Sequence, residues 1–377
     1  FYETFLAQHL NDSAAYYIEL RASLDSTNLQ WLDDAGTFLL EFMSDFDKSK
    51  RYYETALRQI ERNDNKDYND LTNALSNMVN LYIHFGLFEE AQRNCKTSLD
   101  LINAGFCTKN SLIADTYSNI GALDYFNGDF DKAIENYDKV LQIQLKTLSE
   151  NNVDVATTHN NIGFVYSCAA QYDKALEHLE QALQVWLANY GETHPDMALA
   201  NSNIGNVYAA DYYKGRDYDK AMEYFQKALS IRKVVFCEIH PDVATSYASV
   251  GSIYEFTGNY EQALEYALKS KEINETLYGE NYYDLAYDYG NIGRIYMKTG
   301  DFDKALEFQQ KSIDISIANF GENHPDVATS YMNMANVYRN KGDYDKAIEY
   351  AKKALKIRQS TLEENSVFIS EVLCYIG

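Results

Sequence analysis

Proline is almost missing from this sequence: three residues in 377, with no Gly/Ser-rich linker and no shift of composition along the chain. That excludes a string of domains on flexible tethers and points to one uniform architecture. Cysteine is scarce too. The five present (Cys95, Cys107, Cys168, Cys237, Cys374) are odd in number, widely spread and without a Cys-x-x-Cys pair. They make neither a disulfide framework nor a zinc motif, and they suit a reducing compartment. Apolar runs long enough to span a bilayer are absent, as is a secretory signal, so the sequence reads as soluble and cytoplasmic. Positive charge is in deficit: 33 Lys and Arg face 56 Asp and Glu, a formal net charge of −23. Such a field repels nucleic-acid phosphates and anionic membrane surfaces, and it favours partners with basic segments.

Catalytic signatures are missing as well. No Gly-x-Gly-x-x-Gly, Walker loop, His-Glu-x-x-His or Gly-x-Ser-x-Gly occurs. His9, His84, His159 and His178 have no metal-like spacing with Cys or Asp partners, and paired carboxylates fall on polar helix faces. The expectation is a chain without enzymatic activity, metal or cofactor.

What is present is a repeat. A phrase of the form Asn-Ile-Gly-x-x-Tyr recurs with leaders at Asn77, Asn119, Asn161, Asn203, Ser249, Asn291 and Asn333, and more weakly at Ala35. The interval is 42 residues throughout, except 46 between Asn203 and Ser249. A Gly (Gly86, Gly128, Gly258, Gly300, Gly342) and an aromatic follow most leaders, then an alanine (Ala91, Ala133, Ala175, Ala221, Ala263, Ala305, Ala347) and, seven residues on, a second small residue such as Ala182 or Ser312. Apolar positions at helical spacing on both sides of the Gly predict two amphipathic helices per repeat. Gly163 and its equivalents predict close approach of the second helix, and the Asp beside the aromatic predicts its N-cap. All three prolines (Pro195, Pro241, Pro325) fall in one phase, inside His-Pro-Asp, where the next helix is expected to start. Since hydrophobic residues make up 46% of the chain, such pairs can stack over a continuous core.

The repeats are placed at 27–62, 68–104, 110–146, 152–188, 194–234, 240–276, 282–318 and 324–360. Residues 1–22, with Ala7 and Ala14 at the small positions, read as the second helix of a truncated repeat. Residues 366–377, ending Tyr375-Ile376-Gly377, read as the start of another. The chain begins at Phe1, and the full protein is expected to continue in at least one direction. The four extra residues between Val207 and Asp219 predict a longer turn, or one more turn of helix that would project Tyr212 or Tyr213.

The phrases Asn160-Asn161-Ile162-Gly163-x-x-Tyr166, Tyr172-Asp173-Lys174-Ala175-Leu176-Glu177 and Gly-Glu-x-His-Pro-Asp resemble the tetratricopeptide repeat family. Within it they are similar to the 42-residue variety of kinesin light chains. The resemblance covers essentially the whole chain. It implies an all-α fold, a right-handed superhelical α-solenoid of stacked antiparallel helix pairs, whose first helices line a concave groove for short peptides. Val140 departs from the small-residue pattern, and the acidic-plus-tryptophan cargo preference of kinesin light chains does not carry over. His-Pro-Asp is also the signature of J-domain co-chaperones, but here it keeps the phase of the repeat at a helix start.

Taken with the helical period, that geometry nominates the groove residues. A ladder of Asn77, Asn119, Asn161, Asn203, Asn291 and Asn333, flanked by Asn80, Asn160, Asn206 and Asn336, offers amides that can donate to and accept from a bound backbone. The same amides can instead brace neighbouring helices. Arg294, Lys298 and Arg339 form a basic cluster, suited to an acidic motif or else a solvated face paired with Asp301, Asp303 and Asp343. Residues 291–358 hold eleven Lys/Arg against nine Asp/Glu, the reverse of the chain as a whole. Tyr125, Phe126, Phe164, Phe256 and Met297 are candidate apolar anchors, or inter-repeat packing. The expected function is a protein-interaction scaffold that holds a peptide or helix of a partner protein. Its rivals are a regulatory segment of a multidomain enzyme (a switch ATPase, protease or transferase) and a self-association module.

Overall fold

The computed structural model describes residues 11–43, 45–63, 66–210, 215–236, 238–361 and 366–376. Among them every regular element is an α-helix, and the chain divides into two compact units. The first holds α1 (Asn11–Leu24), α2 (Leu29–Met43), α3 (Phe46–Arg62), α4 (Tyr68–His84), α5 (Phe88–Asn103) and α6 (Asn110–Phe126), with residues 135–146 of α7 (Phe130–Thr147). The second begins its run of whole helices with α8 (Val153–Cys168), α9 (Tyr172–Tyr190), α10 (Pro195–Ala210) and α11 (Tyr218–Phe236). It continues with α12 (Pro241–Phe256), α13 (Tyr260–Tyr278), α14 (Leu285–Thr299) and α15 (Phe302–Phe320), and ends with α16 (Pro325–Lys341), α17 (Tyr344–Thr361) and α18 (Val367–Ile376). Ala7, Tyr212, Tyr213, Cys237 and Gly377 lie outside the described residues.

Within the second unit each helix packs on the next, as a solenoid of helical hairpins does. The small residues of the repeat set the spacing. A Cβ on Gly163 would stand 2.7 Å from Leu179 Cγ and 3.0 Å from the Ala175 carbonyl, so α9 can approach α8 only where that carbon is missing. Ala175 and Ala182 are fully buried on the facing side, and Leu179 and Trp186 fill the space between them. Burying side chains of that size contributes about 2–3 kcal/mol each. First helices also touch first helices across repeats, α8 with α10, α10 with α12, α12 with α14 and α14 with α16. Those helices form a continuous row in the second unit.

The helix starts explain His-Pro-Asp. His194, His240 and His324 each accept the backbone N–H of the Asp two residues on through Nδ1, at 3.1–3.2 Å. Their rings stack on the last aromatic of the preceding helix: Tyr190, Phe236 and Phe320. The motif is a cap, and the proline beside it occupies the first turn, where an N–H has no helical partner. The expected Asp caps are also found, at Asp45, Asp217, Asp301 and Asp343, each accepting the N–H three residues on. Where Leu87, Gln171 and Asn259 hold that place, no side-chain cap forms. α10 is described to Ala210, and the expected effect of the insertion on its length falls at 211–214, outside the described residues.

Candidate functional site

The leading asparagines divide into two kinds. In one, the amide is tied to the neighbouring repeat. Asn203 donates through Nδ2 to Asn160 Oδ1 at 2.9 Å, and both side chains are buried. In the first unit Asn119 donates in the same way to Ser76 Oγ at 2.6 Å. Each acceptor stands one residue before the leader of the preceding repeat, 43 positions back. In the other kind that acceptor is missing, because Ala248 precedes Ser249 and Gly290 precedes Asn291. Among the described residues the side chains of Asn291 and Asn333 accordingly make no hydrogen bond. Asn77 sits against Asp33, whose carboxyl is pushed up to about 6 by burial although Asn73 donates to it at 3.1 Å. Asn80 and Asn206 are exposed, while Asn161 and Asn336 are half-buried.

The basic cluster differs from the sequence reading. Arg294 is not a free cation: its Nε donates to both carboxylate oxygens of Glu255, at 2.8 and 2.9 Å, and the Glu255 side chain is only 3% exposed. A carboxylate so nearly dry requires a paired counter-charge, and Glu255, next to last in α12, meets it in Arg294 of the next first helix. Arg339 lies over the Tyr375 ring at 4.9 Å. Lys298 is exposed. Asp301, Asp303 and Asp343 pair with Lys304, Lys341 and Lys346, not with the cluster.

Among the apolar candidates Phe256 is half exposed while stacking on Tyr218, and Phe126 stacks on Phe88. Tyr125 meets Phe126 edge to face. Phe164 is about one-third exposed, and Met297 Sδ accepts from Asn340.

Three features escaped the sequence reading. Asp288 on α14 is buried, held by Ser270 Oγ at 2.6 Å and Asn274 Nδ2 at 2.7 Å, with its pKa raised by burial. His159 and His178, in α8 and α9, bring their Nδ1 atoms within 2.9 Å, and burial drives His159 down to about 4. The third is a cavity of about 250 Å³ between α14, α15 and α16, with Asn291, Arg294 and Asn333 in its lining. Aligning the repeats carried a signal for two of these: Asp288 stands where Thr158 and Ser330 stand, and Gly290 where Asn160 and Met332 stand. Among the described residues no group of three or more His, Cys, Asp or Glu is placed to hold a metal. No helix among them is long and apolar enough to cross a membrane.

The tetratricopeptide repeat family model matches residues 70–146, 112–186, 154–211, 206–276 and 284–360. Among solved structures, a Rap protein complexed with Competence and Sporulation Factor is similar, with TM-score 0.59 and 14% identity over 92% of this chain and 96% of that one. NprR in complex with its cognate peptide NprX gives TM-score 0.56 and 15% identity over 93% and 98%. The putative kinesin light chain repeats of Podosopora anserina give 0.43 and 18% over 56% and 98%. No curated protein matches the chain significantly.

Proposed function

The chain belongs to the tetratricopeptide repeat family and has the build of a protein-interaction scaffold, and we propose that it holds an extended peptide or helix of a partner protein along the row of first helices. The observation that supports this most is the uneven use of the asparagine ladder. A helix row that served packing alone would have every buried amide tied, as at Asn160 and Asn203. Asn291 and Asn333 instead keep donors and acceptors open beside a cavity, which is what a bound backbone needs. NprR, which shares the fold, is solved with a peptide, in keeping with this reading.

On this reading Asn77, Asn80, Asn119, Asn160, Asn161, Phe164, Asn203, Asn206, Asn291, Arg294, Lys298, Asn333, Asn336 and Arg339 face the ligand side. Those already tied shape the surface, and the untied ones make the contacts. The role is non-catalytic and needs no cofactor. Nucleic acid and membranes are disfavoured as partners by the net charge of −23. A cytoplasmic setting fits Cys95 and Cys107, which are buried thiols. The test is a selection from a random peptide library on the whole chain, followed by Asn161→Ala, Asn291→Ala and Asn333→Ala together. The expected result is a loss of about tenfold in affinity for the selected peptides, equivalent to about 1.4 kcal/mol, at unchanged helicity. Selected peptides that bind the triple variant as tightly as the wild type would end the groove reading.

A further inference from the structure

We propose that the cavity between α14, α15 and α16 is a specificity pocket for one arginine side chain of the bound segment. The proposal rests on the groove reading and adds to it the chemistry of one anchor.

The pocket begins with a missing side chain. A Cβ on Gly290 would meet nothing closer than Ser312 Oγ at 3.6 Å and Asn333 Nδ2 at 3.7 Å, whereas at Gly163 or Gly293 the same atom would strike its neighbours at 2.7 Å. Gly290 is therefore not required by helix packing. Its missing side chain forms part of a space of about 250 Å³ that reaches Asn333, where another repeat would supply a tie.

The floor is made of acceptors. Ser312 Oγ donates its one proton to the Ala286 carbonyl at 2.7 Å, and Ser316 Oγ donates to the Ser312 carbonyl at 2.9 Å. Ser330 Oγ lies 3.2 and 3.3 Å from those two hydroxyl oxygens, and with both their protons committed it is the donor in that contact. Thr329 Oγ1 donates to the Pro325 carbonyl. A hydroxyl has one proton and two lone pairs, so the four Ser and Thr hydroxyls that line this space have no proton left for a ligand. An occupant that reaches them must bring N–H or O–H donors.

The walls and the charge narrow the choice. Tyr283, Tyr287 and Phe320 contribute aromatic rings, and the Asp326 carboxylate lies in the lining. The one cation there, Arg294, is offset by Glu255, so the local balance is one negative charge in a chain of −23. A carboxylate would find no Ser or Thr proton and no uncompensated positive charge, only the neutral Asn291 and Asn333 amides, and it would stand against Asp326. A guanidinium brings a flat face for the rings, five donors for the serine oxygens and amide carbonyls, and a charge for Asp326. An ammonium group offers the charge without the flat face.

The test uses the whole chain and three small probes observed by saturation-transfer NMR: Nα-acetyl-arginine methylamide, its citrulline counterpart, which keeps the shape and loses the charge, and its glutamate counterpart. The arginine probe should bind at least tenfold more tightly than the citrulline one, and the glutamate probe should give no signal. Gly290→Met, which fills the space, should abolish the arginine signal. Asp326→Asn, a change at a half-buried position that keeps the backbone cap, should weaken it about tenfold and serves if the methionine variant fails to fold. Equal binding of arginine and citrulline probes, preference for the glutamate probe, or indifference to both substitutions would overturn the proposal. Library-selected peptides separate the two levels. Peptides lost in the triple asparagine variant but carrying no arginine and ignoring Gly290→Met would sink the pocket and leave the groove standing.

Discussion

The repeats around α8 and α10 and those around α14 and α16 share one phrase and one backbone plan, yet they use it oppositely. Gly163 and its counterpart Gly293 are forced by contact with the second helix in both, but in the first pair Asn160 and Asn203 close on each other. In the second pair Gly290 is not forced by anything nearby, Asn333 has lost its tie, and a cavity stands open. The comparison teaches that a repeat's consensus residues can be structural in one copy and available in the next. Which applies depends on the residue one step before the leader.

The largest expected effect tests whether Arg294 belongs to the open pair as scaffold or as ligand contact. Arg294→Ala leaves the nearly dry Glu255 carboxylate without its partner and should lower unfolding free energy by about 3 kcal/mol in chemical denaturation. Glu255→Gln should cost clearly less, because Arg294 can reach water. Equal, small losses for both would mean the pair is a surface contact.

The glycines come next. Gly163→Ala should destabilise by about 2 kcal/mol, since the new carbon meets Leu179 and a carbonyl. Gly290→Ala should be neutral or stabilise by up to about 1 kcal/mol through helix propensity. A similar loss at both positions would erase the contrast. Acid should single out the first pair as well. His159 titrates near 4 in the fold against an ordinary 6.5, so the unfolded chain binds more protons between those values. Stability is then full above pH 6.5 and is lost as pH falls toward 4, by about 2 kcal/mol after allowing for solvent screening. His159→Gln should flatten that slope, and hydrogen exchange should place the early opening at α8 and α9. The smallest effect is at the ladder: Asn203→Ala should cost about 1 kcal/mol by orphaning the buried Asn160 amide, and Asn333→Ala less than about 0.5 kcal/mol.

The helix pairs, their phase and the glycine contacts were legible in the sequence because a 42-residue interval repeats the same steric problem at each copy. The proline starts were legible for the same reason, although the histidine cap was not: its role depends on a ring stacking on Tyr190, Phe236 or Phe320, and that needs the turn geometry. At the candidate site the sequence marked which faces hold the amides. It did not reveal which amides are tied, because that depends on a residue 43 positions away in the facing helix. Arg294 was read by charge count, and the counter-charge, Glu255, lies 39 residues earlier in another repeat. The cavity takes in the space at Gly290, whose meaning changes with what stands opposite.

A photo-crosslinking experiment tests the central contrast most directly. A library-selected peptide carrying a photoreactive group is irradiated on the whole chain, and the linked residues are read by mass spectrometry. The account predicts links concentrated within 283–333, on the faces of α14 and α16 that line the cavity, and few at 160–203. Links confined to α9, α11 or α13, or strongest at the tied pair Asn160 and Asn203, would contradict it.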